Sequence, residues 1–490
     1  MKLLRCFLLV FIQVVYVLAS SIDETLVLHD GSINIENDYT LFLQDYSKYF
    51  KSTLVYKNVK DEKSLKIVSD VNSEENLYKN IIIFPITGRG LGKKLTSADL
   101  LKFSNNANGN IMVIDGDKSA SDEVRVFLNQ LGIYPSPKQY KLHDHFNFVE
   151  GNEAHDVLSI PIEGNLLDES NVIIGETLKT DDILYSGSSA LLSNNNLLIP
   201  ILSAPKTSFN YNPKKLDKKS TEDDAKYLND VNYWALGNQN YLIVAFQNLV
   251  NSRVSWVGSS DFLSDASYKQ SNYKNEKIFN DLLKWTFGEK NVLRIDYVEF
   301  FKTPENTFNP KLLKDTFKVK DEVIYNLGVS EYRGGEWVPY QADDIQLEFT
   351  MLDPYYRLNL VPVSDDSPVL SFNSPELSTA EPNTTFFSKK FSDDVSSSKF
   401  YSAKFVLPDQ HGMFKYLVDY KKSGYSFLFS ENIITLRNLA FDEYIKSSQI
   451  VNSWVYLSAI VTMIGGWLVF LVLFLFSSES KKTTITKKNN

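Results

Sequence analysis

A few short stretches carry residue types at spacings that could do chemistry. Thr87-Gly-Arg-Gly-Leu-Gly-Lys-Lys94 follows an apolar run, and its glycines suggest a loop whose backbone N–H groups meet a phosphate. It fails the P-loop pattern. The glycine spacing differs, and Lys94 stands where a Ser or Thr hydroxyl should hold a metal. A strand-to-helix loop accounts for it better. His143-Asp144-His145 places two imidazoles on one side of an extended segment, as metal sites do. The chain has only 5 His and shows no third ligand cluster, so the expectation is a hydrogen-bonded histidine pair beside Phe146 and Phe148. Gly258-Ser259-Ser260-Asp261 resembles half of the nucleophile elbow G-x-S-x-G, with Phe262 in place of the second glycine. A hydrolase also needs a downstream His. His411 is the one available, and it falls in a different predicted domain. No catalytic set, cofactor cradle or metal site converges from these residues.

One further stretch points to modification instead of catalysis. Asn383-Thr384-Thr385 is the single N-x-S/T sequon and lies in a Ser-, Asp- and Pro-rich stretch, from Pro362 to Ser398, that reads as an exposed loop. A glycan on Asn383 is the expectation.

The elements that must position these residues are organised by the run from Val455 to Phe476, which is long enough to cross a bilayer and carries no charged side chain. Trp454 and Tyr456 sit at one end, and Lys481, Lys482, Lys487 and Lys488 lie beyond the other. Short basic flanks stay cytosolic, which puts the long preceding segment on the opposite side. Lys487-Lys488-Asn489-Asn490 matches the di-lysine address of endoplasmic reticulum membrane proteins. Within the helix, Ser458, Thr462 and Gly466 recur every fourth residue with Gly465 beside them, a face that lets another helix approach closely.

At the other end, the basic Met1–Arg5 stretch, the apolar run Cys6–Leu18 and Ala19-Ser20-Ser21 read as a secretory signal cut after Ala19. The sole cysteine, Cys6, falls inside it, so thiol nucleophiles, thiol redox chemistry and Cys-ligated zinc are excluded for the mature chain. The 490 residues carry a net charge of -9, which argues against nucleic acid as a partner.

Between the two ends the hydrophobic period changes once. Thr25–Leu28, Asn80–Phe84 and Ile111–Ile114 are apolar without alternation, as strands buried on both faces are. Val124, Phe127, Leu128 and Leu131 predict a helix closed by Gly132. Tyr241–Phe246 and Arg253–Val257 read as late strands, and Ile278, Leu282 and Trp285 as a last helix stopped at Gly288. After about 291 strict alternation takes over, in Ile345/Leu347/Phe349/Met351, Tyr401/Ala403/Phe405, Phe414/Tyr416/Val418/Tyr420 and Tyr425/Phe427/Phe429. That pattern predicts an antiparallel sandwich. The predicted plan is a signal over 1–19, a lumenal α/β domain over 20–290, a β-sandwich over 291–445 with the inserted loop 362–398, a transmembrane helix over 455–476 and a cytosolic tail over 477–490.

Gly335-Glu-Trp-Val-Pro-Tyr-Gln-Ala-Asp-Asp-Ile-Gln-Leu-Glu-Phe349, with Leu352-Asp-Pro-Tyr355 after it, resembles the non-catalytic single-pass subunit of eukaryotic oligosaccharyltransferase, the 48 kDa type, called wheat-germ-agglutinin-binding in fungi. Leu26–Leu28, Asp144–Asn147, Asn251–Arg253, Gly258–Phe262 with Ser264-Asp265, Phe405–Asp409, Phe414–Tyr420 and Gly424-Tyr425 are similar in the same order. The resemblance implies an α/β domain like that of intraflagellar transport proteins and a membrane-proximal β-rich domain. It implies a scaffold role in transfer of oligosaccharide from dolichyl diphosphate to Asn of a sequon, with catalysis and metal in a separate multispanning subunit. It implies ribophorin-type and defender-type small subunits as further partners, in the endoplasmic reticulum membrane. The long loop 362–398 departs from the family pattern. The alternatives are a lumenal glycan or peptide receptor, which needs an aromatic-lined cleft, and a hydrolase, which needs Ser259 or Ser260 beside a His.

Overall fold

The computed structural model describes residues 24–60, 65–69, 76–92, 95–106, 109–116, 121–167, 172–175, 182–212, 233–272, 274–302, 317–363, 398–441, 443–444 and 452–477. The signal stretch, Asn383 with nearly all of the 362–398 loop, and Lys487 with Lys488 lie outside the described residues.

The first half is built on a 9-stranded sheet. Thr53–Asn58, Glu24–His29, Asn80–Ile83, Asn110–Ile114 and Arg253–Val257 run parallel in that spatial order. Their alternate side chains feed two cores. Val27, Ile82 and Met112 face one, with Phe42, Tyr46, Ile278 and Leu282 of the helices Thr40–Tyr49 and Lys274–Thr286. Leu26, Ile81, Ile111 and Val113 face the other, with Phe103 and Phe127 of the helices Ser97–Asn105 and Asp122–Leu131. Helices on both faces explain why these strands are apolar throughout. Thr96 and Asp99 form a capping box that starts the helix Ser97–Asn105, and Gly132 at φ 96° ends the helix Asp122–Leu131.

The sheet is only half parallel. Tyr241–Gln247 pairs antiparallel with Arg253–Val257, and Leu198–Ser203 and Ala190–Leu192 both pair antiparallel with it. The strands Thr53–Asn58 and Leu198–Ser203 have no counterpart in the sequence reading. The first is an edge strand of mixed burial and the second contains Pro200, so neither gives a clean periodic signal.

The second half is two packed sheets. One orders Lys290–Lys302, Glu322–Arg333, Lys399–Val406 and Val361–Pro362, with Glu336–Pro339 also on Glu322–Arg333. The other orders Phe317–Lys318, Leu428–Arg437, Gly412–Tyr420, Gln346–Thr350 and Pro354–Asn359. All pairings are antiparallel except the short parallel pair of Phe317–Lys318 with Leu428–Arg437. Leu347, Phe349, Phe414, Tyr416 and Val418 point inward as the alternation predicted, and Phe349 stacks on Phe414 at 4.9 Å. The run Tyr425/Phe427/Phe429 is corrected. Ser426 and Leu428 are buried and Phe429 is 65% exposed, so that strand is one residue out of phase with the reading. The inward Ser426 is a polar residue doing a core position's job, because its hydroxyl accepts from Leu293 N at 2.6 Å and donates to Leu293 O at 3.1 Å. A one-residue slip turns every side chain to the other face.

The helix Ser453–Phe476 is the one described helix long and apolar enough to cross a membrane, with mean hydropathy 2.6.

Candidate functional site

The stretches singled out for chemistry are held in structural roles. Thr87 opens a strand-to-helix loop, and its N–H and hydroxyl both donate to Asp30 Oδ2, at 3.0 and 2.7 Å. The loop therefore meets a buried carboxylate, which would repel a phosphate. Burial pushes the Asp30 carboxyl up, but bonds from Ser32 and Thr87 outweigh it and hold it well below the carboxylate range. Lys94 lies outside the described residues.

His143 and His145 do not pair with each other. His143 is buried, bonds Ala154 O through Nδ1 at 3.1 Å, and is driven toward the neutral form by burial. His145 Nδ1 lies 2.6 Å from Nδ1 of His155, a partner the sequence reading did not consider. Phe148 stacks on His155 at 4.0 Å, while Phe146 is exposed. Between the two, Asp144 is a fully buried turn former that accepts from Phe146 N at 2.9 Å, Asn147 Nδ2 at 2.9 Å and Thr207 Oγ1 at 2.7 Å. Among the described residues no group of three or more His, Cys, Asp or Glu could hold a metal ion.

Ser259 is also fully buried. Its hydroxyl donates to Ser186 O and accepts from Phe262 N at 3.1 Å, with no histidine among its bonded partners. Gly258 is required by crowding, since a β-carbon there would meet Trp256 at 2.7 Å and the Ser188 carbonyl closer still. The Gly258–Phe262 motif is thus a tight strand-to-helix turn.

Several of the other stretches converge on a single place, the joint between the two halves. Arg253 ends up wholly enclosed there. It donates to Trp285 O at 2.6 Å, Lys290 O at 2.8 Å and Asn291 O at 2.8 Å, with its guanidinium 4.7 Å from the Trp285 ring centroid. Burial lowers its pKa to about 9, which leaves it charged at neutral pH. It fixes the end of the helix Lys274–Thr286 to the first residues of the strand Lys290–Lys302, where the chain crosses from one half to the other.

The far side of the joint is Gly424–Phe427. Trp285 Nε1 donates to Gly424 O at 2.8 Å, and Gln247 Nε2 donates to Tyr425 O at 2.7 Å. Asn251, at φ 66°, reads Phe427 like a strand neighbour, accepting from its N–H at 2.6 Å and donating to its O at 2.9 Å. Asn291, at φ 58°, reaches Val172 O at 2.8 Å. Gly424 sits at φ 83°, and a β-carbon there would come within 3.2 Å of Val172. The motifs Asn251–Arg253 and Gly424-Tyr425 are therefore two sides of one contact. The clue in the sequence was a lone Arg at the head of the apolar run Arg253–Val257, since Arg is almost never fully buried without partners.

The Tyr340–Asp344 part of the long motif builds a tyrosine network inside the sandwich. Tyr420 OH lies 3.0 Å from Tyr340 OH and donates to Asp344 at 2.9 Å, and Tyr401 OH donates to Tyr340 O at 2.7 Å. Burial raises all of these phenols above their ordinary range.

The family model described as OST48, N-terminal domain, matches residues 17–289, and that described as OST48 middle domain matches 302–377 and 376–478. The chain belongs to the OST48 family. It is 34% identical to the dolichyl-diphosphooligosaccharide–protein glycosyltransferase subunit WBP1 of Saccharomyces cerevisiae, over 99% of this chain and 98% of that protein. The fission yeast protein of the same description, from Schizosaccharomyces pombe, is 28% identical over 84% of each chain. The 48 kDa subunit of the same transferase in Drosophila melanogaster is 28% identical over 92% of this chain and 90% of its own. A solved structure described as the mmIFT52 N-terminal domain aligns over 54% of this chain and 97% of its own, at 12% identity and a TM-score of 0.35, too low to carry a fold argument. With one apolar helix of spanning length among the described residues, this OST48-family chain fits a single-pass membrane protein.

In that helix, Ser458 and Thr462 turn their hydroxyls back to Val455 O and Ala459 O, each at 2.9 Å. Positions 465 and 466 have open space where a β-carbon would be.

Proposed function

We propose that this chain is a non-catalytic structural subunit of an oligosaccharyltransferase complex, which moves oligosaccharide from dolichyl diphosphate to Asn of Asn-X-Ser/Thr. The observation that carries the reading is the match along 99% of the chain to a protein named as a subunit of that transferase. The buried, already bonded Ser259 supports assigning the chemistry elsewhere. The scaffold has an α/β domain over 20–290 and a sandwich over 291–445, both in the lumen of the endoplasmic reticulum. The helix over 455–476 tethers it, with the tail 477–490 in the cytosol. Its partners are a multispanning catalytic subunit and the ribophorin-type and defender-type small subunits. Ser458, Thr462, Gly465 and Gly466 form the face that meets a neighbouring helix, Asn383 carries a glycan, and Lys487 with Lys488 serves as the retrieval address.

Transfer from a lipid-linked donor to an acceptor peptide tests this. The purified chain alone shows no turnover on this reading, and membranes depleted of it lose transfer until it is restored. Turnover by the isolated chain, or full transfer without it, would refute the proposal.

A further inference from the structure

Beside the joint, a cleft of about 1160 Å³ opens between the two halves. Its α/β wall is formed by the end of the helix Thr40–Tyr49, the residues just after it, and the start of the strand Asn80–Ile83. Its sandwich wall is the tip of the hairpin between Glu322–Arg333 and Glu336–Pro339. Nucleotide pockets of parallel α/β sheets lie at the carboxyl ends of the strands, whereas this cleft lies at the amino end of Asn80–Ile83.

The lining is basic. Lys48, Lys51, Lys79, Lys284, Lys290 and Arg333 face it, in a chain whose net charge is -9. The carboxylates on its walls are Asp281, which holds Lys290 at 3.3 Å, and Glu289. Glu331 at the rim holds Arg333 at 3.1 Å. Among the described residues, six cations line the cleft against Asp281 and Glu289, with Glu331 paired to Arg333 and Glu276 near Lys48. Burial raises the Glu289 carboxyl, while Tyr332, Lys79 and Lys51 pull it back down. Aromatic surface lies among the cations, with Lys284 Nζ 3.7 Å from the Tyr49 ring centroid and Tyr332 and Tyr425 on the opposite wall. At the hairpin tip, Gly334 and Gly335 take φ 64° and 94°, and no atom lies within 4 Å of where their β-carbons would be.

We infer that this cleft is a docking site for an acidic, extended segment of a neighbouring polypeptide. The volume exceeds the roughly 300–1,000 Å³ typical of small-molecule pockets. The cations come from the helix Thr40–Tyr49 and the residues after it, from Lys79, from the helix Lys274–Thr286 and from the start of the strand Lys290–Lys302, and not from one loop, which suits a chain carrying several carboxylates. The open glycine tip leaves backbone groups accessible to a peptide. The kind of occupant, a polypeptide neighbour, rests on the subunit reading, and its charge rests on the cleft.

The test is fluorescence anisotropy of a labelled poly-glutamate peptide with the full-length chain in detergent. The expected result is saturable binding that weakens from about 50 to about 300 mM salt as screening grows. Lys51→Glu with Lys284→Glu weakens it by about tenfold or more, while Lys206→Glu on a remote exposed surface leaves it unchanged. Lys51→Gln with Lys284→Gln, which removes charge without adding repulsion, gives a smaller loss in the same direction at unchanged melting temperature. Absence of saturable binding, equal binding by the charge variants, or tighter binding of inorganic pyrophosphate than of the peptide overturns the inference, the last by making the cleft a small-phosphate site. Absence of saturable binding by a wild-type chain that still joins its complex refutes the cleft alone, whereas failure of the wild-type chain to join any complex refutes the subunit reading.

Discussion

Arg253→Met is the perturbation that probes the joint most sharply. The guanidinium satisfies Trp285 O, Lys290 O and Asn291 O in a fully buried setting. Methionine fills similar space but donates nothing. Each stranded buried carbonyl costs about 1–3 kcal/mol, so the gross loss is about 3–9 kcal/mol. Removing a buried charge that has no carboxylate partner returns about 1–4 kcal/mol of desolvation, leaving a net loss of about 2–5 kcal/mol. For a domain of this size that is a fall of roughly 4–20 °C in melting temperature. Differential scanning calorimetry of the detergent-solubilised chain reads it. The wild type melts with its halves coupled, and the variant shows two separated transitions because the crossing from helix to strand is no longer pinned. Arg253→Lys keeps the charge but reaches fewer carbonyls, and falls between the two. A methionine variant that melts within about 2 °C of wild type, in a single transition, would refute the clamp and the magnitude worked from it.

Other consequences follow from particular residues. Gly424→Ala forces φ 83° on an L side chain and crowds Val172, so it destabilises the joint by about 1–3 kcal/mol, read as a lower denaturation midpoint. Asp30, held below its ordinary pKa by Ser32 and Thr87, adds stability above its unfolded value and loses it as pH falls through the folded one. Asp30→Asn therefore melts earlier at neutral pH and flattens the acid limb of the melting profile, and an unchanged acid limb would contradict that assignment. Asn383→Gln migrates faster than wild type and is insensitive to an endoglycosidase that shifts the wild type. Gly465→Leu with Gly466→Leu reduces recovery of neighbouring membrane subunits while leaving the melting of the part before the helix unchanged.

Much of the fold was legible because burial writes itself into periodicity. The unbroken apolar runs at Thr25–Leu28 and Ile111–Ile114 carry helices on both faces, and the alternation at Phe414–Tyr420 marks one inner face. What failed did so for local reasons. Thr53–Asn58 is an edge strand with mixed burial, Pro200 interrupts Leu198–Ser203, and Ser426 fills an inward position by bonding Leu293. The chemistry-like motifs take the structural roles that the sequence reading preferred for them. Asp144 and Ser259 are tied up in turn hydrogen bonds and Gly258 is required by crowding. Beyond the lone Arg253, the joint left no mark in the periodicity, because Arg253, Asn291 and Gly424 are far apart in sequence and meet only when both halves are folded. The same holds for the cationic cleft, whose lysines come from segments that no periodicity links.

The central claim is that this chain works as a member of an assembly. Native purification of the tagged protein in mild detergent, with identification and stoichiometry of what comes with it, tests that most directly. Equimolar recovery with a multispanning transferase subunit and small membrane partners is the predicted result. Recovery as a solitary monomer from native membranes would contradict it.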